Sequence, residues 1–197
     1  MNYPSGIKKN NTNKINNINY GNRGMGLEYE INLANQYYLD NDIAVIYKKP
    51  IPITINKVDY PSRIEAVIKE AYFKTPSTTD YNGIYKGKYI DFEAKETKNK
   101  TSFPLQNIHK HQIEHLNKVY NHGGIAFIII RFTLLNKTFL LDAKKMVEYI
   151  KEHEVKSIPI SFLEKEGYII KDGYNPVVDY LSVVDKHYLG GILWKTY

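Results

Sequence analysis

The segment Ser77-Thr78-Thr79-Asp80-Tyr81-Asn82-Gly83-Ile84-Tyr85-Lys86-Gly87-Lys88-Tyr89-Ile90-Asp91-Phe92-Glu93-Ala94-Lys95 decides how the chain is read. Residues 76–83 are turn-rich. Gly83–Tyr85 and Tyr89–Lys95 read as two short strands, with Lys86-Gly87 as the hairpin turn between them. Side chains alternate along a strand, so Asp91, Glu93 and Lys95 share one face while Ile90, Phe92 and Ala94 share the other. Two carboxylates and a lysine make a poor core face but a good seat for a hard cation beside a phosphate. Mg²⁺ takes oxygen ligands and uses only about one or two protein carboxylates, with substrate phosphate and water completing its shell. Asp80 lies just before the hairpin, so the turn can return it to Glu93. That pair would hold the metal, which would lower the pKa of a bound water and polarise the phosphoryl oxygens. Lys95 would balance the charge that grows on phosphorus. A bare Glu-x-Lys is more often a solvated face with a salt bridge; Asp80 across the hairpin brings the chemical reading level with that one.

On the N-terminal side, Leu27, Ile31, Ala34 and Tyr38 recur at helical spacing and predict a helix over about 25–38. Residues 43–47 read as a buried strand. Ile51, Ile53 and Ile55 alternate with Pro52, Thr54 and Asn56, the pattern of an edge strand or extended arm. Ile64, Val67, Ile68 and Ala71 predict a short helix over 62–72. The 48–74 region holds six basic residues (Lys48, Lys49, Lys57, Arg63, Lys69, Lys74) against three acids. On the C-terminal side, residues 97–104 read as a loop, and a helix is expected from Leu105 or Gln106 to Asn121, stopped by Gly123-Gly124. Ile125–Thr133 is a strand buried on both faces. Thr138–Leu141 is a further strand, Asp142 caps a helix to about His153, and Val178–Tyr188 is the last helix. This order argues for one α/β domain, a mixed sheet flanked by helices.

The chain has 197 residues and no cysteine, which excludes disulfide scaffolds, thiolate metal sites and cysteine nucleophiles, and fits a reducing compartment. No apolar run reaches the ~18 residues of a membrane span, and the N-terminus lacks the apolar stretch of a signal peptide. The expectation is a soluble cytoplasmic protein with no membrane partner. Lys and Arg number 27 against 21 acids, a net charge of +6 that favours a polyanionic partner. Residues 1–22, with eight asparagines, three lysines and no acid, read as a flexible arm. Residues 191–197 read as a tail. His111 and His115 stand four apart on a helix with His109 near, but no third ligand supports zinc, and they are expected to face solvent or phosphate.

The Asp80…Glu93-x-Lys95 arrangement resembles the PD-(D/E)xK nuclease superfamily, with Thr79 where that pattern has proline. The resemblance is closer to the RecU family. It is carried by Asn22-Arg23-Gly24-Met25, Ile68-Lys69-Glu70-Ala71-Tyr72-Phe73-Lys74, the 77–87 and 89–98 segments, Lys100-Thr101-Ser102-Phe103-Pro104-Leu105-Gln106-Asn107 and His111-Gln112-Ile113-Glu114-His115. It spans about residues 20–188. The resemblance implies a restriction-endonuclease-like core in a domain over 23–190 and a homodimer. It also implies Mg²⁺-dependent cutting of opposed strands of four-way DNA junctions, with Mn²⁺ as a substitute metal, in recombination and repair beside strand-exchange and branch-migration proteins. Thr78, Asp80, Glu93 and Gln112 would be metal ligands and Lys95 the transition-state stabiliser. The 50–74 region would be a stalk entering the junction, with Lys57, Arg63, Lys69 and Lys74 on phosphates and Arg23 at a DNA or regulatory contact. Two other readings remain: a junction-binding architectural protein without turnover, and a restriction-type nuclease on linear duplex.

Overall fold

The computed structural model describes residues 26–73 and 78–190. The expected arm over 1–22, Arg23, Lys74 and the 191–197 tail lie outside the described residues. Helix α1 (Leu27–Asp40) leads into strand β1 (Val45–Lys48). Strands β2 (Ile53–Asp59) and β3 (Val67–Phe73) pair with each other as a separate hairpin. Strands β4 (Tyr81–Tyr85) and β5 (Lys88–Thr97) form the expected second hairpin. Its two-residue turn uses Lys86 at φ 47° and Gly87 at φ 72°, the left-handed pair that matches strand twist.

Strand β6 (Ser102–Pro104) and a 3-10 turn (Leu105–Asn107) precede helix α2 (Lys110–Asn121) and strand β7 (Ile125–Phe132). Strand β8 (Lys137–Asp142) and helix α3 (Ala143–His153) follow, with the Asp142 side chain accepting from the backbone N–H groups of Lys144 and Lys145. Strand β9 (Ser157–Pro159), helix α4 (Ile160–Glu166), strand β10 (Tyr168–Ile170) and helix α5 (Tyr180–Tyr188) complete the described chain. No helix among the described residues is long and apolar enough to cross a membrane.

The main sheet has the order β1-β4-β5-β7-β8-β10, and only β5 and β7 run parallel. That pair is joined by a crossover through α2, which packs against both strands. β7 is buried along its whole length, as its unbroken apolar run requires. One face of the sheet packs under α1 and α5, through Ile90, Phe92, Phe127, Ile129 and Leu140. Phe92 stacks between Tyr81 and Phe127, with ring centroids 4.8 Å away on each side. The other face, with Ala126, Ile128, Ile130 and Leu141, packs under α2, α3 and α4. The β4–β5 hairpin is tied down at both ends. Tyr81 Oη donates to Asn32 Oδ1 at 3.0 Å, and Tyr85 Oη and Lys86 Nζ both donate to the Asp185 carboxylate.

The expected helix over 62–72 is a strand. Ile64, Val67, Ile68 and Ala71 do sit at helical spacing, but they have no core to face: every residue of β2 and β3 is exposed. Pairing along the hairpin decides the conformation. Ile53 lies opposite Phe73, Ile55 opposite Ala71 and Val58 opposite Ile68. Thr54 lies opposite Tyr72, Lys57 opposite Glu70 and Asp59 opposite Val67. A register shift on each strand, at Asn56 and at Lys69, keeps the apolar pairs in phase, so one face is apolar and the other largely polar. The expected loop over 97–104 is partly strand, since β6 pairs with β9. The helix expected from residue 105 begins at Lys110 after the 3-10 turn.

Phe92→Ala should destabilise the fold by about 3–5 kcal/mol, because it empties the centre of the aromatic stack. Asp142→Ala should cost only about 1 kcal/mol, the loss of one helix cap. Urea unfolding of both variants measures the contrast.

Candidate active site

The odd-numbered side chains of β5, from Tyr89 to Lys95, point to the α2 side of the sheet. The register fixes this: Asp91 lies beside Ala126, Glu93 beside Ile128 and Lys95 beside Ile130. Asp91 and Glu93 are both fully buried. The Asp80 backbone N–H donates to Glu93 Oε2 at 3.1 Å. The Lys95 ammonium makes an ion pair with Glu93 Oε1 and stands 3.8 Å from Asp80 Oδ2. The sequence-predicted triad of Asp80, Glu93 and Lys95 is therefore one cluster. Burial pushes the Glu93 carboxyl up to about 8, and the neighbouring Asp80 carboxyl adds to that rise. Lys95 opposes it without overcoming it.

Asp91 is satisfied where Glu93 is strained. Its Oδ2 accepts from Lys49 Nζ at 2.8 Å and Tyr89 Oη at 2.7 Å, and His115 Nε2 stands 3.1 Å away. Its Oδ1 accepts from the Thr79 hydroxyl. Lys49 also donates to the Thr78 hydroxyl at 3.2 Å, while its backbone N–H donates to Asp80 O at 2.8 Å. Lys49 and Asp91 thus hold the 78–80 segment from both side chain and main chain. That segment is what delivers Asp80 to Glu93. Lys49 and His115 are the members that sequence reasoning missed: His115 was expected to face solvent or phosphate, and Lys49 stood out only as one basic residue among six. The usable signal was Asp91 itself, a second carboxylate on a buried face that must find cations.

The remaining predicted residues are placed as follows. Thr78 is exposed and its hydroxyl is taken by Lys49. Gln112 is buried, and its Oε1 accepts the backbone N–H of His109 at 3.0 Å, closing the first turn of α2. It lies about one helical turn before His115, which reaches Asp91. Lys57, Arg63 and Lys69 are exposed on the β2–β3 hairpin, where Lys69 pairs with Asp59 at 3.6 Å. The hairpin does not bring them to the carboxylates. Glu28, in the first turn of α1, pairs with Lys48, and Glu96 accepts the Leu27 backbone N–H at 2.9 Å, so the helix and the end of β5 are joined.

The donor set fits a divalent metal shared with substrate. Among the described residues no group of three or more His, Cys, Asp or Glu side chains could cage a metal alone. Two carboxylates in contact, one of them with a buried Oε1 that has the Lys95 ammonium against it and no well-formed hydrogen bond, are what a metal completed by phosphate and water would use. Ionised Glu93 is costly without such a cation and favourable with one.

The model of the family "Recombination protein U" (RecU) matches residues 22–186. A protein of Bacillus cytotoxicus named Holliday junction resolvase RecU is 55% identical over 194 residues, covering 94% of this chain and 97% of the relative. Proteins of the same name from Geobacillus sp. and Bacillus mycoides are each 59% identical, with 86% of both chains covered. With the carboxylate–lysine cluster at its centre and relatives matched over nearly their full length, the chain belongs to the RecU family.

Proposed function

We propose that this chain resolves Holliday junctions by metal-dependent phosphodiester hydrolysis, as an endonuclease of recombination and repair. The observation that carries the reading is the contact of Asp80, Glu93 and Lys95 on the buried face of β5. Asp80 and Glu93 would hold Mg²⁺, with Thr78 and Gln112 offering further oxygen ligands; Mn²⁺ would suit the same residues. When bound, the metal polarises the scissile phosphate and acidifies an attacking water. Glu93 would have to be ionised to hold the cation, and its raised pKa makes that ionisation the step a cation favours. Lys95, which pairs with Glu93 here, would balance the charge that develops on the phosphoryl oxygens. Lys49 and Asp91 keep the Asp80 loop from drifting.

The protein acts as a homodimer, so that two equivalent sites meet the two opposed strands of a two-fold junction. The exposed apolar face of the β2–β3 hairpin supports a second copy, because single soluble chains rarely leave so continuous an apolar face in water. The opposite face and the tip, with Lys57, Arg63 and Lys69, contact phosphates at the crossover and so fix position without reading sequence. Strand-exchange and branch-migration proteins are the expected companions in the same process.

Asp80→Asn and Glu93→Gln should abolish nicking of an immobile four-way junction while leaving junction affinity unchanged. Lys95→Ala should slow nicking about 10²–10³-fold at saturating metal. A matched linear duplex should remain uncut; cutting of the duplex at a defined sequence would instead mark a restriction-type enzyme.

Glu93 sets a pH dependence. Its folded pKa is raised, so the stability it contributes is complete below the ordinary carboxylate value of 4.5 and is lost as pH rises through about 8. Without metal, the melting temperature should fall across this window, and Glu93→Gln should remove that part of the fall. With Mg²⁺ the wild-type loss should shrink, since the cation favours the ionised form, and apparent metal affinity should climb with pH up to about 8. Calorimetric melts at several pH values, with Mg²⁺ and with chelator, measure both effects.

Removing Lys57 or Arg63 should weaken junction binding about equally for every sequence and lower the slope of log affinity against log salt by about 0.9 for each phosphate no longer neutralised. A salt titration of binding by the single variants reads this directly.

A further inference from the structure

The row of side chains on β5 does not end at the carboxylates. Tyr89, Asp91, Glu93 and Lys95 follow one another along the strand, and a second row runs beside its start: His115 and Val119 on α2, continued by His122 just past the helix. The two rows meet at the 3.1 Å approach of His115 Nε2 to Asp91 Oδ2. Beyond that contact they part, and a cleft of about 270 Å³ opens between Tyr89, His115, Lys118, Val119, His122 and Gly124. The catalytic cluster stands at one end of this double row and the cleft at the other.

The chemistry of the cleft is particular. Its wall is the half-exposed ring of Tyr89, and its floor is mainly apolar. A cation, Lys118, and two imidazoles line it, and no acidic side chain does. Gly124 keeps the end open: a Cβ there would come within 2.6 Å of Val119 Cγ1 and 3.4 Å of the Tyr89 ring. An aromatic face beside a basic rim is what an unstacked nucleotide needs, with the base on the ring and the phosphate on the cation.

We infer that this cleft is a nucleotide subsite, which takes one base of the strand being cut and so contributes to the choice of cleavage position. The inference rests on the nuclease reading above, because it needs the scissile phosphate to sit at Asp80 and Glu93. The distance suits it. Tyr89 and Glu93 are four residues apart, about 13 Å along a strand at about 3.3 Å per residue. That is within about four nucleotides at roughly 3.4 Å of rise each.

The test uses the full-length protein and immobile junctions carrying a single abasic site at each of the four positions on either side of the cut. Single-turnover nicking is measured for wild type, Tyr89→Leu and Tyr89→Phe. For wild type, one position should slow nicking about tenfold when its base is removed, the scale of one base–aromatic stack. Tyr89→Leu should slow the intact junction by a similar factor and add nothing at that position. Tyr89→Phe loses the hydroxyl bond to Asp91 but keeps the ring, so it should retain the positional sensitivity whatever its overall rate. Absence of any sensitive position, or effects of Tyr89→Leu and the abasic site that multiply, would overturn the inference. Failure of wild type to nick any junction would instead sink the nuclease reading. The same junctions, read by affinity in place of rate, would then still report whether Tyr89 and one base act together.

Discussion

Taking a carboxylate out of water costs several kcal/mol unless cations or donors replace the lost hydration. Strand β5 does this twice within three residues, at Asp91 and Glu93, both without solvent exposure. Much of the local architecture answers that cost. Lys49 comes from the end of β1, Thr79 from the loop before β4, Tyr89 from β5 itself and His115 from the crossover helix, and all converge on Asp91. Glu93 has the Asp80 N–H and the Lys95 ammonium, and the Asp80 carboxyl beside it works against its ionised form. The two acids are chemically identical in kind and one strand repeat apart, yet one is fully compensated and the other is held short of compensation. That inequality divides the face into a fixed post and a reactive group.

The fixed post matters to the reactive one through the chain that connects them. Asp80 lies in the segment just before β4, outside any helix or strand, as do Thr78 and Thr79. The Lys49 side chain and backbone grip this segment on one side and the Asp91–Thr79 bond grips it on the other. Asp80 is thereby anchored through both main chain and side chains of its neighbours although it belongs to no strand.

Much of this was legible in the residues, for identifiable reasons. The alternation of Tyr89–Lys95 and the Lys86-Gly87 turn are local signals, and they specify which side chains share a face whatever surrounds them. The buried run at Ile125–Phe132 is equally local. The 62–72 segment misled because its apolar spacing fits a helix while its partner, β2, lies across a turn; cross-strand pairs and two compensating register shifts are invisible to a single-segment reading. Lys49 was illegible as part of the site for the same reason. It lies 42 positions from Asp91 in sequence, and only sheet order brings β1 and β5 onto either side of β4. The family resemblance supplied the four-way junction as substrate; the residues alone supplied a seat for a hard cation such as Mg²⁺ beside a phosphate and left its use open.

The parallel pairing of β5 with β7 has a kinetic meaning. The β4–β5 hairpin closes over a two-residue turn, a contact that forms early and at little entropic cost. β7 reaches β5 only after the whole crossover, with α2, has been laid down, and non-local parallel pairing is slow. In the folded sheet β7 and α2 both pack against β5, and Asp91 and Glu93 lie on the face they cover. The perturbed centre therefore depends on long-range pairing: the burial that raises the Glu93 pKa comes from β7 and the crossover helix, not from the hairpin that carries the residue.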